Sequence, residues 1–290
     1  FILVLAASCS HDQGGVPSNT STYDYPEIED VSETPDSDTP DAEEIDEDTY
    51  SIHTDPCIDC AWYFCGSLDV VWQKQIWLTT AKEDGTELFV VCIDLESGKV
   101  VHDIKVFDVV EPQLEYPGLN SHASPTPVVA EGRIYVHFGT YGTACLDTQT
   151  GRKLWERRDL NCDHRVRPAS SPIIEGELLF LVYDGVDVQF IIALEKESGQ
   201  TRWLENRKVK NDLATVLTAG GVKDVEETLK EKPNDNRKSY ATPTIIEHNG
   251  QKQLISPAAE ATFAYDPQTG KELWRVRHQG WGWNVACRPI

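Results

Sequence analysis

Ala264-Tyr-Asp266-Pro-Gln-Thr269-Gly270-Lys-Glu-Leu-Trp274 is one of four versions of a single phrase in this chain: an apolar residue, an acid, two variable positions, Ser/Thr-Gly, and an aromatic four residues later. The others are Cys92-Ile-Asp94-Leu-Glu-Ser97-Gly98-Lys-Val-Val-His102, Cys145-Leu-Asp147-Thr-Gln-Thr150-Gly151-Arg-Lys-Leu-Trp155 and Ala193-Leu-Glu195-Lys-Glu-Ser198-Gly199-Gln-Thr-Arg-Trp203. Starts at 92, 145, 193 and 264 give intervals of 53, 48 and 71 residues. Repetition on that scale, in short apolar runs broken by glycine turns, predicts the blades of a β-propeller.

The flanking sequence completes each unit. Ser/Thr-Pro and an apolar pair stand ahead of three phrases, at Thr126-Pro127-Val128, Ser171-Pro172-Ile173 and Thr242-Pro243-Thr-Ile245. Turns follow at Glu131-Gly132, Glu175-Gly176 and Asn249-Gly250, each leading into a second apolar run such as Arg133-Ile-Tyr-Val-His-Phe138. The strand entering the phrase is the third, and the stretch beyond its glycine, as in Lys153-Leu-Trp155-Glu156, is the fourth. Four short strands with turn chemistry between them form one antiparallel blade. Proline at a strand start costs little, since the missing N–H has no ladder partner to lose. The acid and the Ser/Thr-Gly suit a tight hairpin. The first unit lacks the Ser/Thr-Pro start, and the run Cys57 to Cys65 stands in its place. The expected fold is therefore all-β, with about four four-stranded antiparallel blades over residues 57–290 and a fifth inner strand beginning near Cys287-Arg288-Pro289-Ile290. A ring needs roughly 4–8 blades to close, and the chain contains no Met; it is expected to be incomplete at both ends.

The Ala-x-Asp-x-x-Thr-Gly-x-x-x-Trp phrase resembles the tryptophan-docking motif of pyrroloquinoline quinone (PQQ)-type propeller repeats, and Ala264–Trp274 matches it at every position. The other copies depart at the first residue (Cys92, Cys145), the acid (Glu195) or the aromatic (His102). Asn120-Ser-His-Ala-Ser-Pro-Thr-Pro127 with Tyr135-Val-His-Phe-Gly-Thr140 is similar to PQQ-like proteins of bacterial secretomes. The resemblance implies a structural role for Asp94, Gly98, Asp147, Gly151, Trp155, Gly199, Trp203, Asp266, Gly270 and Trp274: each Trp staples its blade to the next. It also implies two possible functions. One is a binding or scaffold module like the lipoprotein propeller of outer-membrane assembly machinery. The other is a PQQ- and Ca²⁺-dependent dehydrogenase of an alcohol or sugar, for which Asp184, Asp187, Glu260 and Asn284 offer oxygens and Trp281 or Trp283 a stacking floor. The vicinal Cys-Cys pair that the family's alcohol dehydrogenases typically carry is absent from the sequence, which favours the module.

Charge divides the chain. Residues 1–73 hold 17 Asp/Glu and no Lys or Arg, so most of the net charge of −22 lies there. Residues 10–56, rich in Ser, Thr, Pro, Asp and Glu, cannot bury enough apolar surface to offset chain entropy and are expected to form a disordered acidic linker. Residues 1–9 read as the end of a signal peptide, with Ala6-Ala-Ser-Cys9 resembling a lipoprotein cleavage box and Cys9 the lipidation site. That places the protein outside the cytoplasm, periplasmic or anchored to the bacterial outer membrane, touching the membrane only through lipid. The remaining domain is mildly acidic without a basic face, which argues against nucleic acid.

Of the eight cysteines, Cys92, Cys145 and Cys287 occupy small strand slots and are expected to be buried and inert. Cys57, Cys60 and Cys65 with His53 suggest a local disulfide in an exported chain more readily than zinc, and no metal site is expected. Residues 206–238 form the one large insertion, with Val225–Lys232 of helical propensity.

No nucleophile elbow, His-Glu-x-x-His or phosphate loop occurs, so no catalytic residue is assigned. A ligand site is expected where the loops entering each inner strand meet those joining the second and third strands. That rim gathers Asn120, His122, His164, Arg167, Asp184, Asp187, Tyr240, Glu260, Asn284 and Arg288. The expected occupant is an envelope protein, a small molecule or a glycan, held by a monomeric propeller that needs no cofactor.

Overall fold

The computed structural model describes residues 63–65, 70–113, 120–207, 218, 221, 223–231, 237–259, 261–277, 285–286 and 288–289. They lie within a unit spanning Asp55–Ile290. Four antiparallel sheets follow one another along the chain. Blade A contains β1 (Tyr63–Cys65), β2 (Val70–Trp72), β3 (Gln75–Lys82), β4 (Glu87–Asp94) and β5 (Val100–Asp108). Blade B is β6 (Val128–Ala130), β7 (Arg133–His137), β8 (Thr143–Asp147) and β9 (Lys153–Arg157). Blade C is β10 (Ile173–Glu175), β11 (Leu178–Asp184), β12 (Gln189–Glu195) and β13 (Thr201–Asn206). Blade D is β14 (Thr244–His248), β15 (Gln251–Pro257), β16 (Ala261–Tyr265) and β17 (Glu272–Arg277). In B, C and D the strand order is the chain order. This is the propeller expected from the repeats.

Blade A departs from the pattern, because β1 and β2 pair with opposite ends of β3 (Tyr63↔Lys82, Val70↔Trp77). The segment ahead of β2 therefore contributes a strand that the repeat does not announce. At the other end, Val285 makes a single parallel bridge to Ser239, and Arg288 lies outside any strand. Within the insertion, α1 (Val225–Glu231) forms where helical propensity placed it, with Glu226 and Glu227 in its first turn. Among the described residues no helix is long and apolar enough to cross a membrane. Cys9, residues 10–56, His53, Cys57, Cys60 and Cys287 lie outside the described residues.

Side chains alternate across each strand, and both faces of an inner blade are covered. Leu179, Leu181 and Tyr183 of β11 join Tyr135 and Cys145 of blade B in one buried cluster. Leu178, Phe180 and Val182 of the same strand join Leu254, Phe263 and Tyr265 of blade D in another. A third cluster packs Trp77, Leu88 and Phe107 of blade A against Ile134, Val136 and Leu146. The core is thus a series of layers between blades.

The repeated phrase builds the joints between those layers. Its first residue faces its aromatic across the strand pair: Cys92↔His102, Cys145↔Trp155, Ala193↔Trp203 and Ala264↔Trp274. Directly opposite residues share a face, so a small side chain there leaves room for the ring to lie down. A register shift follows that residue in all four blades. Asp147 then closes the hairpin, its Oδ1 accepting from the Thr150 N–H (2.7 Å) and hydroxyl (2.7 Å). Trp155 of blade B lies over Gly199 of blade C and donates its indole N–H to the Lys196 carbonyl (2.9 Å). Trp203 of blade C repeats this on Gly270 and the Pro267 carbonyl of blade D (2.9 Å). A Cβ on Gly199 or Gly270 would stand 2.7 or 2.6 Å from indole carbons, so the close approach requires glycine. In blade A, His102 and Ile104 stand over Gly151 instead, and His102 stacks on Trp77 at 5.7 Å. Gly151, Gly199 and Gly270 each lie beneath side chains of the preceding blade, and Trp155 and Trp203 supply two of those contacts. Trp274 bonds Gln253 of its own blade (2.8 Å) and remains 39% exposed. Gly98 has nothing within 4 Å of where a Cβ would be.

Candidate functional site

At the ends of the blades opposite the repeat turns, the connectors entering blades B, C and D meet the loops between second and third strands. The A–B connector is held first by Asn120. Its Nδ2 donates to the Pro168 carbonyl (3.0 Å), and its own carbonyl accepts from an Arg167 guanidinium nitrogen (2.5 Å). His122 sits 3.2 Å from the Gln113 carbonyl, which can only accept, so its Nε2 carries the proton. Gln113 bridges further: its N–H donates to the Tyr141 hydroxyl (2.8 Å), and its side-chain oxygen accepts from the His164 N–H (3.2 Å).

The B–C connector turns sharply. Arg165 and Arg167 both take positive φ (57° and 69°), a conformation uncommon for residues with a Cβ and a mark of locally held strain. The turn drives His164 inward. Its Nε2 accepts from the Thr140 N–H (3.0 Å) on a short 3₁₀ turn of blade B (Gly139–Tyr141), and Cys162 Sγ lies 3.4 Å from the same nitrogen. Lys238, from the connector entering blade D, reaches His164 Nδ1 at 2.9 Å and lies 4.6 Å from the Tyr240 ring centroid. Asp163 and Asp187 remain exposed, and Asp187 accepts from the Asp163 N–H (2.8 Å).

One blade further, at the end of β11, Asp184 pairs with Arg207, which also donates to the Ser256 hydroxyl and lies over Phe263 (5.4 Å). Both side chains of the pair are fully buried. Asp184 Oδ1 and Arg207 Nε are each buried without a hydrogen-bond partner.

Burial dominates the electrostatics. It holds the His122 imidazole down to about 4, with the Arg167 charge second, and His137 down to about 3. His164 lies well below the ordinary histidine value, through burial and then the neighbouring Lys238. The Cys162 thiol is pushed up to about 12 by burial. Asp184 rises to about 6 because burial outweighs the opposing Arg207. Lys238 is lowered by burial against several acids that pull the other way.

The described candidates His122, His164, Arg167 and Asp184 therefore face inward; His164 and Arg167 tie neighbouring connectors together, whereas His122 bonds Gln113 of its own connector and Asp184 bonds Arg207 at the end of its own blade. Asn120 and Tyr240 are half-buried, while Asp187 and Arg288 are exposed. Glu260, Asn284, Trp281 and Trp283 lie outside the described residues. The structure adds Gln113, Cys162, Arg207, Lys238 and Ser256, none of which was singled out as a site residue. Cys162 and Lys238 carried some signal, since both lie in entry loops. Arg207 did not, because it lies at the start of the insertion, beyond the last strand of its blade. Among the described residues no group of three or more His, Cys, Asp or Glu is arranged to hold a metal ion. Cys92 and Cys145 are free and buried, as expected of strand-slot residues.

A family profile described as outer membrane protein assembly factor BamB matches residues 70–229. A quinoprotein ethanol dehydrogenase of Pseudomonas putida is 26% identical over 150 residues, which is 51% of this chain and 22% of that protein. Quinoprotein alcohol dehydrogenase PedH, also of Pseudomonas putida, is 27% identical over 161 residues, again 51% of this chain and 22% of its own. The chain thus spans about a fifth of the length of these curated relatives. Among solved structures, a europium-containing methanol dehydrogenase superposes with a TM-score of 0.51 at 15% identity, covering 78% of this chain and 45% of that one. The quinohemoprotein alcohol dehydrogenase from Comamonas testosteroni gives 0.50 at 13% identity, over 77% of this chain and 36% of its own. At such identities the likeness is one of fold.

Proposed function

From the premise that the chain belongs to the PQQ-type repeat family described as outer membrane protein assembly factor BamB, we propose that it is an exported propeller that holds a partner at the cell envelope through the loop ends of its blades. One observation carries this reading. The polar side chains of the loop ends are bonded to one another and to backbone across blades, which makes a rigid platform rather than a set of groups aimed at a reacting atom. What the platform presents outward is Asn161, Asp163, Asp187 and Val188, a surface suited to a partner with basic and apolar groups. Cys9 then carries the lipid, and residues 10–56 space the propeller from the membrane.

The alternative, a PQQ- and Ca²⁺-dependent dehydrogenase, draws support from the quinoprotein relatives. The described oxygen donors do not fit that pair of groups. Asp184 is matched to Arg207, whose guanidinium stands where a cation would have to be, and Asp187 accepts a backbone N–H. Equilibration of the full-length protein with PQQ and Ca²⁺ tests both readings. Stoichiometric retention of PQQ with alcohol-dependent dye reduction overturns the binding module. The module predicts neither, together with loss of cross-linking to envelope proteins in the charge-reversed Asp163→Lys/Asp187→Lys variant.

A further inference from the structure

The contact between Lys238 and His164 constrains their protonation. The Thr140 N–H, 3.0 Å from His164 Nε2, can only donate, so Nε2 must present its lone pair. A neutral imidazole then carries its proton on Nδ1, the atom 2.9 Å from Lys238 Nζ. An ammonium has three donors and no acceptor. It could bond Nδ1 only if the ring had lost both protons, which no histidine near neutral pH does. From this geometry we infer that Lys238 is held as an uncharged amine accepting the His164 Nδ1–H, and that its nitrogen is a buried proton-binding site whose occupation opens the joint between blades B, C and D.

The surroundings support an uncharged lysine. Lys238 is 1% exposed, and among the described residues no carboxylate lies within ion-pair distance of it. The nearby acids are engaged elsewhere: Asp184 with Arg207, Asp187 with the Asp163 N–H, and Asp163 with the Arg165 N–H (2.8 Å). Cys162 is a protonated thiol, and His137, bonded to Thr143 (2.8 Å), is neutral. The first consequence of adding a proton to Nζ is local. Two donors then face each other, and either the His164 ring turns and releases Thr140, or Lys238 leaves His164 for the neighbouring acids. Thr140 belongs to blade B, His164 to the B–C connector and Lys238 to the C–D connector, so either movement loosens all three. The folded lysine value lies below the unfolded one. Stability from this clasp is therefore complete above the unfolded lysine value and is lost as pH falls toward the folded value.

Long-range ¹H–¹⁵N correlation on the histidine-labelled full chain reads the tautomer directly. The expected result is His164 in the Nδ1–H form, with the Lys238 amine titrating below the surface lysines. An Nε2–H tautomer, or a Lys238 midpoint among those of the exposed lysines, overturns the inference. Hydrogen exchange at the Thr140 amide supplies the second readout. In the native chain its protection falls by about tenfold or more as Lys238 takes its proton, the scale of one lost buried hydrogen bond. Lys238→Met, which keeps the length and can hold no proton, removes that pH dependence, whereas persistence of the dependence in Lys238→Met overturns the inference. If Lys238→Met is too unstable to measure, the tautomer of the native chain decides alone.

Discussion

Gly270→Ala separates the docking function of the repeated phrase from its turn function. Gly270 holds φ +71°, and an added Cβ would stand 2.6 Å from Trp203 Cδ2 and Cε3. The left-handed backbone costs a residue with a Cβ about 1–2 kcal/mol. The clash adds a second cost, because Trp203 cannot retreat without stretching its 2.9 Å bond to the Pro267 carbonyl. Overpacking of that kind costs about 1–3 kcal/mol. Gly98→Ala is the matched control: the same place in the phrase, φ +66°, and nothing within 4 Å. Effects on the unfolded chain are the same for both substitutions and cancel. Urea denaturation followed by tryptophan fluorescence should therefore show Gly270→Ala less stable than Gly98→Ala by about 1–3 kcal/mol. Equal losses would refute the claim that the indole seated on this glycine joins the blades.

Two further outcomes follow from the same geometry. Acid should weaken the fold before ordinary carboxylates titrate: the His122 and His137 rings, held near 4 and 3 against 6.5 unfolded, bind fewer protons folded than unfolded. They cost about 2 kcal/mol each at pH 5 and His164, also held below the ordinary value, acts in the same direction, while Asp184, raised to about 6, returns about 1 kcal/mol, so a net loss of at least about 3 kcal/mol between pH 8 and pH 5 is expected; a flat urea midpoint over that range would contradict it. Glu195→Asp should raise the melting temperature. The longer Glu195 carboxylate reaches Ser198 Oγ only at 3.5 Å, and Asp in the other phrases accepts bonds of 2.6–3.1 Å from the turn, so the gain is about 1 kcal/mol.

Strand positions were legible because they rest on local chemistry that repeats. Asp147, Thr150 and Gly151 declare a hairpin wherever they stand, and the continuous apolar run of β11 declares a strand covered on both faces. What the repeat could not declare was anything occurring once. The strand β1 has three residues, no Ser/Thr-Pro ahead of it, and a partner in β3 that it shares with β2. Nothing local to Tyr63–Cys65 distinguishes it from loop. His102 is intermediate: its place in the phrase was plain, while its contact with Gly151, in concert with Ile104, depends on a neighbouring blade.

The rim was legible as a place and illegible as a set of roles, for a physical reason. A side chain that binds a ligand and one that closes a joint are drawn from the same polar residues, and they differ only in where the partner atom lies. For Asn120 it is the Pro168 carbonyl, for His164 the Thr140 N–H, and for Asp184 a guanidinium 23 residues away in sequence. Each partner comes from a different element, so no window of sequence contains both halves of the contact. Burial then settles the assignment. A polar group removed from water must find its partner within the protein or weaken the fold; Asn120 and His164 find theirs on a neighbouring connector or blade, and Asp184 finds its own at the exit of blade C. On the proposed binding reading, the surface left for a partner is the exposed one formed by Asp163, Asp187 and Val188, and the bond from the Asp163 N–H to Asp187 fixes two of those groups relative to each other.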